Sequence, residues 1–134
     1  MLNDRRIRAS KRAKLNECLI GTGFPYTDFS YAEAYLNMFR DMMRATSGLR
    51  RPGSAALDLC YVACGRYDGF WEMHLQPWDL AAGSLIAQES GALVGNFLGN
   101  EGFLESGNIV AATPKIFGQM LQVIAPHLPP ELKV

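Results

Sequence analysis

Hydrophobic and polar positions along this chain switch between the two-residue period of strands and the longer period of helices. Short apolar runs next to glycine, proline or acidic turn residues predict strands at residues 18–21, 70–73, 92–94 and 109–112. Residues 6–10 alternate in the manner of an edge strand. Helical segments separate most of these strands, and this alternation predicts an α/β layered domain.

The first two predicted helices differ in their pattern. Ser30 and Glu33 form a capping-box pair that starts the first helix, and Gly48 is expected to stop it. Its apolar positions recur at helical spacing at Tyr31, Tyr35, Met38, Phe39 and Met42. Residues 54–64 carry one charge, at Asp58, which predicts a helix covered nearly all round.

Two further helices begin at proline. Pro77 and Asp79 start one that ends at Gly91, and Thr113 with Pro114 caps the other. The residues expected to face inward on the helix at Pro77 are Leu80, Ala81, Leu85 and Ile86. The last helix carries its apolar positions at Ile116, Phe117, Met120, Leu121 and Ile124.

Composition bounds the classes of protein that this chain can belong to. Its 134 residues, 49% of them hydrophobic, suffice for one domain with one core. A net charge of zero argues against a surface built wholly for nucleic acid. Six of the 13 basic residues nevertheless lie in the first fourteen positions, opposed there by Asp4. This basic head, residues 1–14, suits RNA or another anion, but a solvated edge strand with its turn has the same pattern and is the favoured interpretation.

Three cysteines without paired spacing predict no disulfide framework and suit a reducing cytoplasm. Cys60 and Cys64 lack the two-residue gap of common zinc ligands, so core packing is the favoured interpretation. No signal sequence is present, and no apolar stretch approaches the roughly 20 residues that cross a bilayer. The sequence therefore predicts a cytoplasmic protein with no membrane contact.

Asp79 is the main candidate for chemistry, because it lies at the mouth of an apolar helix, seven residues after Glu72. A carboxylate there needs helix-terminal amides, a metal or a polar ligand to offset its charge. Asp79 also suits a purely structural cap, which stabilises by about 1 kcal/mol. Both interpretations stay open. His74 is at most a marginal site position, and no role is predicted for His127.

A dinucleotide-binding turn is rejected, because the third glycine of a fingerprint starting at Gly21 and Gly23 would fall at Tyr26.

Three motifs in order resemble the inositol monophosphatase family: residues 50–59 (RRPGSAALDL), 65–72 (GRYDGFWE) and 77–83 (PWDLAAG). Residues 2–8 and 107–111 are similar to its bacterial branch, the SuhB-type or extragenic suppressor proteins. The resemblance covers nearly the whole chain. One departure is Pro52, which pushes Arg51 towards an extended conformation.

This resemblance implies a mixed β-sheet flanked by helices, the C-terminal half of the α-β-α-β-α fold of sugar phosphatases. Residues 1–16 would then be a remnant of the N-terminal domain, with an edge strand and a basic turn, and residues 17–134 the C-terminal α/β domain. The family's upstream Gly-Glu-Glu and Asp-Pro-Ile/Leu-Asp-Gly-Thr segments, whose carboxylates hold most of the magnesium, are absent from this sequence. We therefore expect an isolated domain, a truncated product or half of a split enzyme.

The resemblance also implies roles for individual residues. Asp79 would ligate one Mg²⁺ and touch a substrate hydroxyl, Glu72 would accept a hydrogen bond from another hydroxyl, and Gly53, Ser54 and Ala55 would offer backbone N–H groups to the substrate. The implied reaction is magnesium-dependent, lithium-sensitive hydrolysis of inositol monophosphate or a related small phosphomonoester. The chain alone is expected to be inactive.

Family members are commonly homodimers, so a homo-oligomer is also expected. The SuhB-type resemblance permits a different function, a non-catalytic module that binds RNA or the transcription machinery through the basic head.

Overall fold

One five-stranded mixed sheet organises the fold in the computed structural model, which describes residues 8–23, 31–51 and 54–132, without the side chain of Ala56. The strands are β1 (Leu19–Thr22), β2 (Gly48–Arg50), β3 (Gly69–Glu72), β4 (Leu93–Gly95) and β5 (Ile109–Ala112), in the order β2-β1-β3-β5-β4. β1 runs parallel to β2 and β3, whereas β5 runs antiparallel to β3 and β4. The predicted α/β fold with a mixed sheet is confirmed.

Helices cover both faces of this sheet. They are α1 (Ala32–Ala45), α2 (Ala55–Ala63), α3 (Pro77–Glu89), the short α4 (Phe103–Ser106) and α5 (Pro114–Ile124), with 3-10 turns at Leu15–Glu17, Ala125–His127 and Pro130–Leu132. α2 packs against α3, and α1 packs against α5.

Successive side chains of a strand point to opposite faces of the sheet, and this divides the core into two apolar clusters, one on each face. Neighbouring residues of β3 belong to different clusters: Phe70 lies with Leu59 and Leu80 of the α2–α3 layer, and Trp71 lies with Met38 and Met120 of the α1–α5 layer. All six side chains are fully buried. The result is a three-layer arrangement with the sheet in the middle.

The segment before β1 is fixed to the sheet by a buried carboxylate. Asp68 accepts hydrogen bonds from Nη1 of Arg12 at 3.1 and 3.3 Å and from the Leu19 backbone N–H at 2.8 Å. Gln119 of α5 donates to the Ala13 carbonyl at 2.9 Å and accepts from the Leu15 N–H at 3.1 Å. Residues 12–15 are therefore attached to both the sheet and α5, while the domain boundary between residues 16 and 17 stays a prediction.

Several predicted boundaries differ from the structure. Residues 8–10 form no strand, and residues 6–7 of the predicted edge strand lie outside the described part of the chain. Gly48, expected only to stop the first helix, begins β2, because β1 offers it a parallel partner through Leu19. Ser30 lies outside the described residues, and α1 begins after Tyr31.

The predicted inward face of α3 is wrong in part. Leu80 is fully buried, but Ala81, Leu85 and Ile86 are exposed, the last two to 55% and 38%. The buried face instead continues through Gly83, Ser84 and Ala87, whose small side chains suit close packing against α2. Five exposed apolar residues of this helix form what we call the α3 outer stripe; they are Trp78, Ala81, Ala82, Leu85 and Ile86.

Two other burial expectations need correction. α2 is not covered all round, since Leu57 is 44% exposed. Cys60 and Cys64 are half-buried rather than core residues, and Cys18 is buried; all three are free thiols. Among the described residues, no helix combines the length and the apolar character that a bilayer crossing requires.

Candidate functional site

The candidate site lies at the carboxyl ends of the three parallel strands. Gly23 follows β1, Arg51 follows β2 and Glu72 ends β3, so the three residues lie along one edge of the sheet. Ligands of open α/β sheets commonly bind at this edge. α2 begins after Ser54 and α3 begins near Asp79 on the same face of the sheet.

Asp79 is the third residue of α3 and belongs to a capping box. Its Oδ2 accepts a hydrogen bond from the Gln76 backbone N–H at 3.2 Å, and the Asp79 N–H donates to the Gln76 backbone carbonyl at 2.9 Å. The structural cap is therefore present. The other oxygen, Oδ1, has no hydrogen bond within the described chain and is available to a ligand.

Ser54 also caps its helix. Its Oγ accepts a hydrogen bond from the Leu57 N–H at 3.3 Å, which starts α2 in the way that capping residues favour. Ala55 is buried as the first residue of α2. Gly53 and Pro52 lie outside the described residues, so the predicted Gly53-Ser54-Ala55 segment is seen only in its last two members.

Glu72 packs directly on Gly23. A Cβ atom at position 23 would overlap the Glu72 carboxyl group, so this close approach requires glycine. Thr22 holds the two strand ends together: its hydroxyl lies 3.0 Å from the Trp71 carbonyl, to which it donates, and 3.0 Å from the Tyr35 hydroxyl.

The Glu72 carboxyl group is held in its protonated form more strongly than usual. Burial, followed by the charges of Asp58 and Asp79, raises the pKa of Glu72 to about 8, while Arg51 opposes the shift. These couplings show that Asp58, Asp79 and Arg51 all act on Glu72. The site thus brings together three carboxyl groups, from α2, β3 and α3, and one cation, from the residue that follows β2.

Asp58 is the carboxyl group of this set that the sequence did not assign to the site. It is fully buried, and neither side-chain oxygen has a hydrogen-bond partner among the described residues. Burial raises the pKa of Asp58 to about 7, and Asp58 in turn raises the pKa of Tyr67 after the larger effect of burial. A single acid within an otherwise apolar helix was the sequence signal that could have identified it.

Two hydrogen bonds join the segment after Glu72 to the residues that precede β5, and we call this pair the 74–107 contact. It positions the chain that leads to α3. The His74 N–H donates to Oδ1 of Asn108 at 3.2 Å, and the Leu75 N–H donates to the Gly107 carbonyl at 3.0 Å. His74 has a φ of 60°, and Gly107 a φ of 75°. A Cβ at position 107 would also overlap the backbone of Leu75, so glycine is required there.

The two histidines lie in different places. The His74 ring stacks on Tyr31 with the ring centroids 5.1 Å apart. Nε2 of His127 lies 2.6 Å from Oδ2 of Asp41, joining the segment after α5 to α1. The hydrogen bond with His127 is the main cause that lowers the pKa of Asp41.

The donor set for a metal is incomplete within the part of the chain that is described. No group of three or more His, Cys, Asp or Glu side chains there could hold a metal ion. Asp79 offers one hard carboxylate oxygen, the type of ligand that Mg²⁺ prefers, but a stable site would need further oxygens from elsewhere.

Comparison with known proteins gives a consistent result over nearly the whole chain. The profile of the inositol monophosphatase family matches residues 1–128. The Nus factor SuhB of Pseudomonas aeruginosa is 54% identical over 134 residues, which cover 98% of this chain and 49% of that protein.

Two solved structures show that the similarity extends to the three-dimensional fold. The extragenic suppressor protein SuhB of Bartonella henselae is 43% identical with a TM-score of 0.86, over 91% of this chain and 47% of that one. The inositol monophosphatase of Anabaena is 35% identical with a TM-score of 0.84, over 96% of this chain and 50% of that one. The chain spans about half the length of the relatives that it matches. On the extent of these matches, the chain belongs to the inositol monophosphatase family.

Proposed function

We propose that this chain supplies the substrate-orienting half and one metal ligand of a magnesium-dependent phosphatase that acts on inositol monophosphate or a related small phosphomonoester. The observation that carries the proposal is the gathering of Glu72, Asp79 and the start of α2 at one edge of the sheet. Family membership supports phosphatase chemistry.

The residues of this chain would mainly bind and orient. Because the pKa of Glu72 is about 8, its carboxyl group is mostly protonated at neutral pH in this chain, so it can both donate to and accept from a sugar hydroxyl. Backbone N–H groups at Ser54 and Ala55, where α2 begins, would meet an oxygen of the substrate. Orientation of this kind lowers the barrier by fixing the reacting phosphate in place.

Asp79 would contribute one oxygen to Mg²⁺ while its other oxygen keeps the cap on α3. The metal, when bound, supplies activation of water and stabilisation of the leaving oxygen. The described residues offer no group of three ligands, and we propose that the remaining ligands come from a polypeptide equivalent to the other half of the relatives.

The test is phosphate release from inositol 1-phosphate with Mg²⁺, measured on the pure chain and on a fusion with the first half of the P. aeruginosa relative. We expect no turnover by the chain alone and lithium-sensitive turnover by the fusion. Asp79→Asn should lower the kcat of the fusion at least about tenfold, because an amide oxygen is a weaker ligand for a hard cation.

Glu89→Gln is the matched control, since it makes the same carboxylate-to-amide change at the exposed end of the same helix. Equal activity of the Asp79→Asn and Glu89→Gln fusions would refute the role of Asp79. Magnesium-dependent turnover by the pure chain that Asp79→Asn abolishes would refute the half-site.

A second function, binding of RNA or the transcription machinery, is favoured by the name Nus factor given to a relative that is 54% identical over this chain. In the structure, Arg12 of the basic head pairs with Asp68, while Lys11 and Lys14 are exposed. Arg5 and Arg6 lie outside the described residues.

This function predicts RNA binding that weakens steeply with salt and disappears when Arg5, Arg6, Arg8 and Lys11 are neutralised together. Retention of phosphatase activity by the same variant of the fusion would separate the two functions. Binding that is insensitive to both salt and these substitutions would contradict the second function.

We further propose that the protein works in a reducing compartment such as the cytoplasm, because its three cysteines are all free thiols.

A further inference from the structure

The side of α2 that faces away from the core carries two cysteines. Among the described side chains of residues 57–64, four are at least partly accessible to solvent, and their spacing of three and four residues places them on one face of the helix. They are Leu57, Cys60, Tyr61 and Cys64. Both thiols are free and half-buried. The protein thus presents two soft ligands at its surface, one helical turn apart.

The helix fixes the relative position of the two cysteines. The Cys64 N–H donates to the Cys60 carbonyl at 3.1 Å, so the helical repeat extends to Cys64, the residue that ends α2. Side chains of a helix lean towards its N-terminus, and Cys64 follows this rule, because its thiol donates to the Tyr61 carbonyl at 3.7 Å. The Cys64 thiol is therefore directed back over the turn that carries Cys60.

This arrangement suits an ion between the two sulfur atoms better than a bond between them. Side chains four residues apart on a helix have their Cβ atoms about 5–6 Å apart. A disulfide needs a Cβ–Cβ distance of about 3.5–4.5 Å, so its formation would distort the helix. A metal–sulfur bond is about 2.3 Å long, so an ion held by two thiolates allows the sulfur atoms to lie up to about 4.6 Å apart.

The number of ligands restricts the kind of ion. Within the described part of the chain, no third His, Cys, Asp or Glu side chain joins the two thiols in a group that could hold a metal. Structural zinc takes four ligands, whereas soft thiolates select Cu(I), for which two sulfur ligands suffice. The complex of Cu(I) with two thiolates carries one negative charge. The Arg66 guanidinium, 5.6 Å from the centroid of the Tyr61 ring, supplies a cation beside this face.

We propose that Cys60 and Cys64 together bind a soft monovalent metal ion of the Cu(I) type. Both thiol protons leave to solvent and two metal–sulfur bonds form, with no change in the oxidation state of the metal or the sulfur. The pair lies towards the end of α2, and the rise of the helix from Ser54 to Cys60 is about 9 Å. The proposal does not depend on the phosphatase function, because it uses none of the residues of that site.

The test is titration of the reduced chain with Cu(I) under nitrogen, in competition with the coloured Cu(I) chelator bicinchoninate. We expect one Cu(I) per chain. Cys60→Ala and Cys64→Ala should each weaken binding about tenfold or more, because one thiolate alone cannot chelate the ion. Zn²⁺ should bind at least about tenfold more weakly than Cu(I), because the pair lacks its further ligands. Equal affinity for the two ions would overturn the proposal.

Cys18→Ala is the matched control, since it removes the third thiol, which is buried elsewhere in the fold. It should leave the affinity for Cu(I) unchanged. Equal weakening by Cys18→Ala and Cys60→Ala would overturn the proposal, as would binding that survives the loss of both Cys60 and Cys64.

X-ray absorption at the copper edge of the loaded wild-type chain gives a second measurement that needs no variant. The copper should have two sulfur neighbours. Coordination mainly by nitrogen or oxygen would place the ion elsewhere and overturn the proposal.

Discussion

The carboxyl group of Glu72 lies against Gly23 so closely that no side chain fits between them. We predict that Gly23→Ala moves this carboxyl group out of its buried position and destabilises the chain by about 1–3 kcal/mol through overpacking. The pKa of Glu72 should then fall from about 8 towards its ordinary value, because burial is its main cause. Urea unfolding and carbon NMR titration of Glu72 measure the two effects.

Gly118→Ala is the control for this substitution. Gly118 lies in α5 with no atom within 4 Å of an added Cβ, so alanine should stabilise the helix by up to about 1 kcal/mol. If Gly23→Ala behaved like Gly118→Ala, the packing of Glu72 on Gly23 would be excluded.

Stability should fall as the pH rises from about 4 to about 7, owing to Asp58. Its pKa is about 7 in the folded chain and near 4 when unfolded, so in this window the folded state holds a proton that the unfolded state has lost. One such group lowers the free energy of unfolding by at most about 1.4 kcal/mol per pH unit. We predict that Asp58→Asn flattens this dependence, and that the variant exceeds wild type in urea resistance at pH 8.

The same comparison at pH 5 provides the control for Asp58, since the wild-type carboxyl group is neutral there and resembles the amide. An Asp58→Asn variant that is less stable than wild type at both pH values would mean that Asp58 is ionised and partnered in the fold.

Removal of the Asp68 side chain should destabilise the chain strongly. Asp68→Ala deprives Arg12 and the Leu19 N–H of their shared acceptor, for which we expect a loss of about 2–4 kcal/mol in urea unfolding. Asp41→Ala should have a much smaller effect, because Asp41 forms its pairs with Arg40 and His127 at the surface. Similar losses in the two variants would contradict the structural role given to Asp68.

The α3 outer stripe predicts self-association of the chain. Exposed apolar surface of this kind is typical of interfaces, and Trp78 is 77% exposed with Leu85 beside it on the same face. Sedimentation equilibrium should show dimers or larger species that Leu85→Glu converts to monomers. Leu36→Glu, at a residue 57% exposed on α1, should leave the assembly unchanged. A wild-type chain that sediments as a monomer at high concentration would contradict the prediction.

The sequence was sufficient to predict two kinds of element: strands that are buried on both faces, and helices that begin at a residue typical of helix starts. β5 begins and ends at the predicted residues, and α3 and α5 both start at the proline that marks them. β2 was missed because its three residues carry no apolar run; its existence depends on pairing with β1, a contact between distant parts of the chain.

The candidate site likewise combines residues that local patterns indicate with residues that only the fold brings together. Glu72 and Asp79 were proposed as site residues from local motifs, whereas the closeness of Gly23 and Asp58 to Glu72 depends on which elements the fold brings together. The inward face of α3 was mispredicted for a related reason. Its apolar residues occupy both faces, so periodicity cannot show that α2 packs on the side with the smaller residues.

Through the 74–107 contact, the distance between the two candidate carboxyl groups depends on residues that come later in the chain. Glu72 and Asp79 are seven residues apart in sequence, but the path between them is fixed by Gly107 and Asn108, which immediately precede β5. A shortened chain that ended before residue 107 would keep every candidate side chain. It would lose the two hydrogen bonds that fix the distance between Glu72 and Asp79.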